Sequence, residues 1–169
     1  MFDTEYDVYL AGPFFNDVQK ARMDLAKSIL VEAGLTVADP RELGPIIVDT
    51  ASHVKTPEFF TEIFDGNIEG MKDSFIMVAS IDDKDTGTAF EMGWAYGTGM
   101  ILFSFAFDGG KTNVMLGQAV DGHFTSAEEF KQFFTSNAEE IKNRNSTQFF
   151  SDWAVEANFG ALKKAEADE

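Results

Sequence analysis

Three short segments of the chain are apolar at nearly every position, and each predicts a buried β-strand. They are Tyr6–Ala11, Ser74–Ala79 and Met100–Phe107. Strands that are apolar at successive positions, rather than at alternate ones, are typical of a sheet that is covered on both faces. A weaker strand is predicted at Thr36–Ala38, where Asp39 and Pro40 end the pattern.

Segments with helical spacing of apolar residues lie between and after these strands. They are Asp17–Ala33, Pro57–Met71, Gly87–Gly97 and Ser126–Phe134. Strands that alternate with helices predict a parallel sheet with helices on both faces, a doubly wound α/β fold of the flavodoxin-like or Rossmann-like class. Ligands of such folds bind beyond the carboxyl ends of the strands. Four segments are expected there: Gly12–Asn16, Pro40–Gly44, Ile81–Glu91 and Asp108–Met115.

The chain length of 169 residues fits a single domain. We predict an α/β domain at residues 1–136 and an acidic helical extension at 137–169, part of which docks through its aromatic residues. The first residues lack the basic region of a signal peptide, and no apolar run approaches the ~20 residues of a membrane helix. A cytoplasmic protein is therefore expected.

The charge of the chain argues against several classes of partner. Asp and Glu number 29 against 13 Lys and Arg, for a net charge of -16, which disfavours nucleic acid and anionic membranes. The absence of Cys excludes disulfides and thiolate chemistry. His53 and His123 lack metal-ligand spacing, and Asp82, Asp83 and Asp85 are expected to form a solvated acidic loop. We expect neither a metal nor a cofactor.

Glu91 is the strongest candidate for chemistry. It lies in TGTAFEMGWAYG among apolar and small residues, where a carboxylate must be paired or its pKa must shift. Such an acid is a candidate nucleophile or general base, although an exposed position on an amphipathic helix is equally compatible with the pattern. Asp85 precedes the same helix, and helix capping is its commoner role. Tyr9 lies inside a predicted strand, so its hydroxyl needs a partner such as Glu91.

The loop after the first strand predicts a ligand surface without a phosphate cradle. Gly12 permits close backbone approach, and Phe14 and Phe15 either form a wall for a flat apolar ligand or pack in the core. Neither of the glycine-rich phosphate-binding patterns of dinucleotide-binding folds and P-loops is present.

Three motifs resemble the nucleoside 2-deoxyribosyltransferases. They are VYLAGPFF at Val8–Phe15, DTGTAFEMGWA at Asp85–Ala95 and TNVMLGQAVDG at Thr112–Gly122. The resemblance runs from about Tyr6 to Phe134, and its middle motif is the most specific. It implies an enzyme of deoxynucleoside salvage without a cofactor, acting on 2′-deoxynucleosides and free nucleobases. It also implies a homo-oligomer built from dimers, such as a hexamer.

The resemblance implies a role for each matching residue. Glu91 corresponds to the nucleophile, Tyr9 to the tyrosine that hydrogen-bonds it, and Asp85 to an aspartate that helps hold sugar and base. Asn113 corresponds to an asparagine that binds the 5′-hydroxyl in a neighbouring subunit's site, with Met115 as a weaker contact beside it.

The remaining matches concern the nucleobase. Phe14 and Phe15 fall where the family packs the base, next to Gly12. Asn67 aligns with a substrate-contacting position that is Asp in some members and Asn in others. An amide cannot act as an acid, so protonation of the leaving base is not assigned to Asn67.

The implied reaction is base exchange through a covalent deoxyribosyl ester of Glu91, with retention of configuration. One alternative is an N-glycoside hydrolase of nucleosides or of nucleoside 5′-monophosphates. The apolar first loop and the acidic chain favour free nucleosides, since a monophosphate needs a phosphate site. A second alternative is a non-enzymatic nucleotide or metabolite sensor on the same scaffold. The joint presence of Glu91, Asp85, Tyr9 and Asn113 argues against a sensor.

Overall fold

A computed structural model describes residues 4–44, 56–109 and 113–144 of the chain. The described residues form one sheet of five parallel strands, in the order β2-β1-β3-β4-β5. The strands are β1 (Tyr6–Ala11), β2 (Val37–Ala38), β3 (Ser74–Ser80), β4 (Ile101–Phe105) and β5 (Gly122–Phe124). The helices are α1 (Asp17–Glu32), α2 (Pro57–Lys72), α3 (Thr86–Thr98), α4 (Val114–Ala119) and α5 (Ala127–Asn143). The predicted doubly wound α/β fold is confirmed.

The strand order places a switch point between β1 and β3. The chain continues from β1 to β2 on one side of the sheet and from β3 to β4 on the other, while β1 and β3 pair in the register Tyr9–Met77 and Ala11–Ala79. Loops that leave two neighbouring strands in opposite directions open a crevice at the carboxyl ends of those strands. The loops after β1 and β3 therefore border the expected ligand position.

The helices divide between the two faces of the sheet. One face packs against α1 and α5, with Met23 and Phe130 in its buried cluster. The other face packs against α2, α3 and α4, with Met71 and Met92 in its buried cluster. Both faces of β3 are buried along its whole length, which explains why this strand is apolar at successive positions.

Local signals set the ends of the helices. Asn16 caps α1 by accepting a hydrogen bond from the backbone N–H of Gln19 at 2.9 Å. Thr56 caps α2, and Pro57 occupies its first turn, where a missing N–H costs nothing. Gly99 ends α3 in the left-handed conformation at φ 73°, which favours glycine.

Three segments differ from the expectations. The short β5 and α4 were not predicted, because Gly122–Phe124 and Val114–Ala119 are too short to show a period. The last predicted helix continues from Phe134 to Asn143, since Ala138 and Ile141 extend its buried stripe into the core. Residues 145–169 lie outside the described part, so the division at 136/137 stays a prediction. None of the described helices is long and apolar enough to cross a membrane.

Candidate active site

Tyr9 and Glu91 meet on the face of the sheet that α2, α3 and α4 cover. The Tyr9 hydroxyl donates a hydrogen bond of 2.7 Å to Oε1 of Glu91. Tyr9 is fully buried in the middle of β1, and Glu91 lies on α3 with part of its surface exposed. A rigid strand therefore holds one carboxylate oxygen of Glu91 while the residue remains accessible to a ligand.

The surroundings of Glu91 change its acidity. Burial raises the pKa of Glu91, the hydrogen bond from Tyr9 lowers it, and the charge of Asp85 raises it, with a net result of about 7. Burial and the neighbouring carboxylate raise the pKa of Tyr9 above its ordinary value, so its hydroxyl stays protonated and remains a donor. Glu91 is thus a carboxylate of raised basicity, which suits a nucleophile or a general base.

Asp85 caps the helix that carries Glu91. Its Oδ2 accepts hydrogen bonds from the backbone N–H of Thr88 at 2.7 Å and from the Thr88 hydroxyl at 2.9 Å. The expected capping role is therefore present. Asp85 also lies close enough to raise the pKa of Glu91, so it forms part of the same electrostatic environment.

The loop after β1 contains the two phenylalanines of the first motif. A Cβ at Gly12 would lie 3.2 Å from Cβ of Ser80 and closer still to the thioether of Met23, so only glycine fits without displacement. Phe14 is partly buried against the α1 face of the core. Phe15 is 79% exposed and takes no part in that core. The two residues therefore differ: Phe14 is anchored and Phe15 is available to a ligand.

The helix α2 approaches Tyr9 closely through its glycines. A Cβ at Gly70 would lie 3.3 Å from Cε2 of Tyr9, and one at Gly66 would lie 2.7 Å from the backbone oxygen of Leu43. Asn67 is three residues before Gly70 and so shares its side of the helix. The partly exposed Asn67 is thereby placed on the helix side that faces Tyr9.

Asn113 and Met115 lie at the start of α4. The side-chain oxygen of Asn113 accepts from the backbone N–H of Met115 at 2.9 Å and caps α4. Both residues are exposed, Met115 by 75%. Within the described residues, Asn113 makes no hydrogen bond to Tyr9, Asp85 or Glu91. Its predicted role in a neighbouring subunit's site stays a prediction.

The acidic segment after β3 is bound to an arginine instead of being fully solvated. The side chain of Asp82 is almost completely buried, and its Oδ2 lies 3.1 Å from Nε of Arg22, which also pairs with Asp83 and Asp108. Asp82 further accepts from the backbone N–H of Phe107 at 3.1 Å. Arg22 thus joins α1 to the loops after β3 and β4. In the parts of the chain that the structure describes, no group of His, Asp and Glu is arranged to hold a metal.

The sequence interpretation missed both arginines that organise this edge of the sheet. Arg22 is almost fully buried on α1, and Arg41 follows β2, where it pairs with the buried Asp39. A single arginine on an amphipathic helix carries no distinctive sequence signal. Asp39-Pro40-Arg41 at the end of a strand was the only available indication for the second. His123 lies in β5, and its Nδ1 is 2.9 Å from the hydroxyl oxygen of Ser104, within hydrogen-bond distance.

A partly exposed carboxylate of raised pKa, held by a strand tyrosine beside the switch point of a doubly wound sheet, defines an α/β protein with an acid–base or nucleophilic site. The family model of nucleoside 2-deoxyribosyltransferases matches residues 8–158. The chain belongs to this family, whose members are enzymes.

Solved structures agree with this assignment. The chain is similar to a 2-deoxyribosyltransferase of Bacillus psychrosaccharolyticus, with 30% identity, a TM-score of 0.65 and coverage of 73% of this chain and 89% of that chain. A conserved protein of Enterococcus faecalis shares the fold at 19% identity and a TM-score of 0.61, over 81% of this chain and 97% of that one. No curated protein gave a significant match.

Proposed function

We propose that this protein exchanges the nucleobase of 2′-deoxynucleosides, with Glu91 as the nucleophile. The observation that carries the proposal is the hydrogen bond of 2.7 Å between the Tyr9 hydroxyl and Glu91. It leaves the second carboxylate oxygen for attack and fixes the direction of the side chain. Glu91 has no cationic partner within the described residues and stays partly exposed, so its carboxylate is not neutralised by an ion pair and remains accessible to a substrate.

The reaction takes place in two displacements. In the first, a Glu91 oxygen forms a bond to C1′ of the sugar while the bond from C1′ to the base nitrogen breaks, and the electron pair leaves with the base, which takes up a proton. In the second, a nitrogen of another base attacks C1′, loses its proton and releases the carboxylate. Two inversions give net retention, as in retaining glycosidases.

Electrostatics favour this route. The sugar becomes oxocarbenium-like as the base leaves, and a nearby carboxylate stabilises positive charge. Tyr9 favours the ionised form of Glu91, because its hydrogen bond lowers the pKa that burial raises. Asp85 adds a second negative group to the same environment. A 2′-deoxyribose suits the site, since an electron-withdrawing 2′-hydroxyl would destabilise the cationic transition state.

The base is proposed to rest between the loop after β1 and α2. Phe14 supplies an anchored aromatic surface and Phe15 an exposed one, beside the close backbone at Gly12. Asn67, on the side of α2 that faces Tyr9, supplies an amide that can both donate to and accept from a base edge. Apolar walls also limit water, which would otherwise hydrolyse the ester.

Charge balance supports nucleosides rather than nucleoside 5′-monophosphates as substrates. Arg22 is paired with three carboxylates, and Lys27 with Asp39 and Glu42. Arg41 is paired with Asp39 and Asp24. The charges of these three cations are therefore balanced by carboxylates, and a phosphate bound to any of the three would have to displace them.

A dimer-based homo-oligomer is proposed to complete the site. The helices α2 and α3 expose Phe60, Phe64, Phe90 and Tyr96, each by more than half. Phe64 and Phe90 lie 6.2 Å apart and form a continuous apolar patch between the two helices. Exposed aromatic clusters of this kind mark protein interfaces. A second copy on this face would bring its exposed Asn113 toward the sugar, as the family resemblance implies.

A base-exchange assay tests the proposed function. The protein is incubated with a deoxynucleoside donor and a different free base, and the products are separated by chromatography. We expect the new deoxynucleoside to form. Release of the base without a new nucleoside would favour the hydrolase, as would preference for the donor's 5′-monophosphate. No reaction with a panel of donors would contradict both enzymes and favour the sensor.

A further inference from the structure

The loop after β2 carries an arginine whose guanidinium lies over the ring of Phe14. The centre of the Arg41 guanidinium is 4.4 Å from the ring centroid. The two residues belong to different loops, since Phe14 follows β1 and Arg41 follows β2. These strands are neighbours in the sheet, so their loops emerge side by side at the carboxyl edge. The contact therefore joins the proposed base wall to the loop after β2.

Arg41 is fixed on its other sides by carboxylates. Its Nε lies 3.0 Å from Oδ1 of Asp39 and its Nη2 lies 2.8 Å from Oδ2 of the same residue. Nη1 lies 2.8 Å from Asp24 on α1. All three guanidinium nitrogens are thus engaged, and a two-pronged pair of this kind fixes the plane of the group as well as its position.

Asp39 is the buried carboxylate that holds Arg41 in place. Its side chain is completely buried, and it also accepts from the backbone N–H of Arg41 at 3.0 Å and from Lys27 at 3.0 Å. Burial alone would raise the pKa of Asp39, but the hydrogen bonds from Arg41 and Lys27 hold it below its ordinary value. The carboxylate is therefore charged over the range in which the enzyme would work.

If Arg41 only connected its loop to α1, its ion pairs would be explained but its contact with the ring of Phe14 would not. Asp39 and Asp24 already satisfy the guanidinium nitrogens, so stacking on Phe14 adds nothing to the charge balance of Arg41. For Phe14 the effect is larger, because the guanidinium fixes a ring that the α1 face of the core buries only in part.

We infer that Arg41 is a positioning residue that orients Phe14 as the wall of the nucleobase site and thereby sets the affinity for the acceptor base. The inference rests on the proposed base exchange. Arg41 acts through Phe14 and needs no contact with the reacting atoms. Its loss should therefore affect the binding of the base more than the chemistry at Glu91.

Arg41→Lys tests the inference, because lysine keeps the charge toward Asp39 and loses the planar group over Phe14. We expect KM for the acceptor base to rise about three- to tenfold, with kcat within about twofold of wild type. The matched control is Arg144→Lys. Arg144 also pairs with an aspartate, Asp7, and lies over a phenylalanine, Phe75, at 5.9 Å, but outside the proposed site. That variant should leave KM unchanged.

Two further variants keep the test decisive if Arg41→Lys folds poorly. Phe14→Leu should raise KM for the base by at least as much as Arg41→Lys, and Arg41→Lys should add nothing in the Phe14→Leu background. Asp24→Asn removes one anchor of the guanidinium at an exposed position and should raise KM about twofold, again only when Phe14 is present.

The outcomes separate this inference from the function on which it rests. Wild-type exchange with an unchanged KM in Arg41→Lys, or additive effects of Arg41→Lys and Phe14→Leu, would overturn the positioning role alone. An equal rise in KM in Arg144→Lys would also overturn it. Absence of exchange in the wild-type protein would overturn both proposals.

Discussion

The two faces of the sheet differ in where they keep their aromatic residues. The face covered by α1 and α5 buries a dense cluster of phenylalanine rings. The ring centroids of Phe130 and Phe134 are 4.6 Å apart, and those of Phe105 and Phe130 are 5.4 Å apart. The buried cluster on the other face contains small and flexible residues, and Tyr9 is its single aromatic member among the described residues. Its flanking helices expose Phe60, Phe64, Phe90 and Tyr96.

This difference separates stability from function. Buried aromatic pairs contribute both area and favourable ring contacts, so the α1 and α5 face has the means to hold the fold together. The opposite face carries a carboxylate whose pKa is raised to about 7, a state that costs folding free energy when the group is ionised. Substitutions on the two faces should therefore have opposite signatures.

Glu91→Gln should have the largest effect on activity and no adverse effect on stability. We expect base exchange to fall by at least about 1,000-fold, because an amide cannot form the ester. Since the folded pKa of Glu91 lies above its ordinary 4.5, the wild-type protein loses stability as the pH rises from 4.5 through about 7. The amide does not titrate, so Glu91→Gln should be at least as stable as wild type at pH 8.

The measurements for this variant are exchange rates and urea unfolding at pH 8. Glu140→Gln, at an exposed position on α5, is the matched control and should change neither quantity. Exchange near the wild-type rate in Glu91→Gln would remove the nucleophile assignment.

Phe134→Ala should show the reverse signature. Phe134 is fully buried in the cluster under α5, and truncation of such a residue costs about 3–5 kcal/mol of unfolding free energy. The kcat of the folded fraction should stay at the wild-type value, because the cluster lies across the sheet from Glu91. Glu69→Ala, at an exposed position on α2 outside the aromatic patch, should change the unfolding free energy by less than about 0.5 kcal/mol. Equal losses in the two variants, measured by urea unfolding, would contradict the division of roles.

The pH dependence of kcat/KM tests the hydrogen bond between Tyr9 and Glu91. kcat/KM should rise with pH and level off, with a midpoint near 7, because only ionised Glu91 attacks the sugar. The hydrogen bond from Tyr9 lowers the pKa of Glu91, so Tyr9→Phe should move the midpoint to higher pH and lower the plateau about tenfold. Tyr6→Phe, at the start of β1, should leave the midpoint in place. A midpoint that stays or moves to lower pH in Tyr9→Phe would show that the hydrogen bond does not tune the acid.

The smallest effect is expected in a test of whether two chains share each active site across the exposed aromatic face of α2 and α3. Glu91→Gln and Asn113→Ala chains, co-expressed with different tags, should form mixed dimers with one intact site each. At low donor concentration a random mixture should recover about a quarter of the wild-type activity if each site of a symmetric dimer uses both chains. Activity no higher than the sum of the separate variants would show that Asn113 does not serve a neighbouring site.

The sequence predicted the framework because the framework depends on local patterns. Continuous apolar runs identified β1 and β3 with little error, and Asn67 and Glu91 were placed on the correct helices. Short elements such as β5 carry no period, and the extension of α5 to Asn143 depends on packing of Ile141 that only the folded core provides.

The candidate site was predictable only where a single residue is unusual among its sequence neighbours. An acid among apolar residues pointed to Glu91, and a tyrosine inside a strand pointed to Tyr9, but their hydrogen bond joins residues 82 positions apart. Arg41 and Phe14 are likewise brought together by the pairing of β1 with β2. Contacts between loops of neighbouring strands require the strand order, which no local pattern specifies.

Mass spectrometry of a trapped intermediate tests the central assignment most directly. The protein is mixed with a deoxynucleoside without an acceptor base, quenched in acid and digested. We expect one deoxyribosyl group per active chain on the peptide that contains Glu91, and we expect this group to be lost when a second base is added before the quench. Base release without any adduct, or an adduct on a different residue, would contradict this assignment.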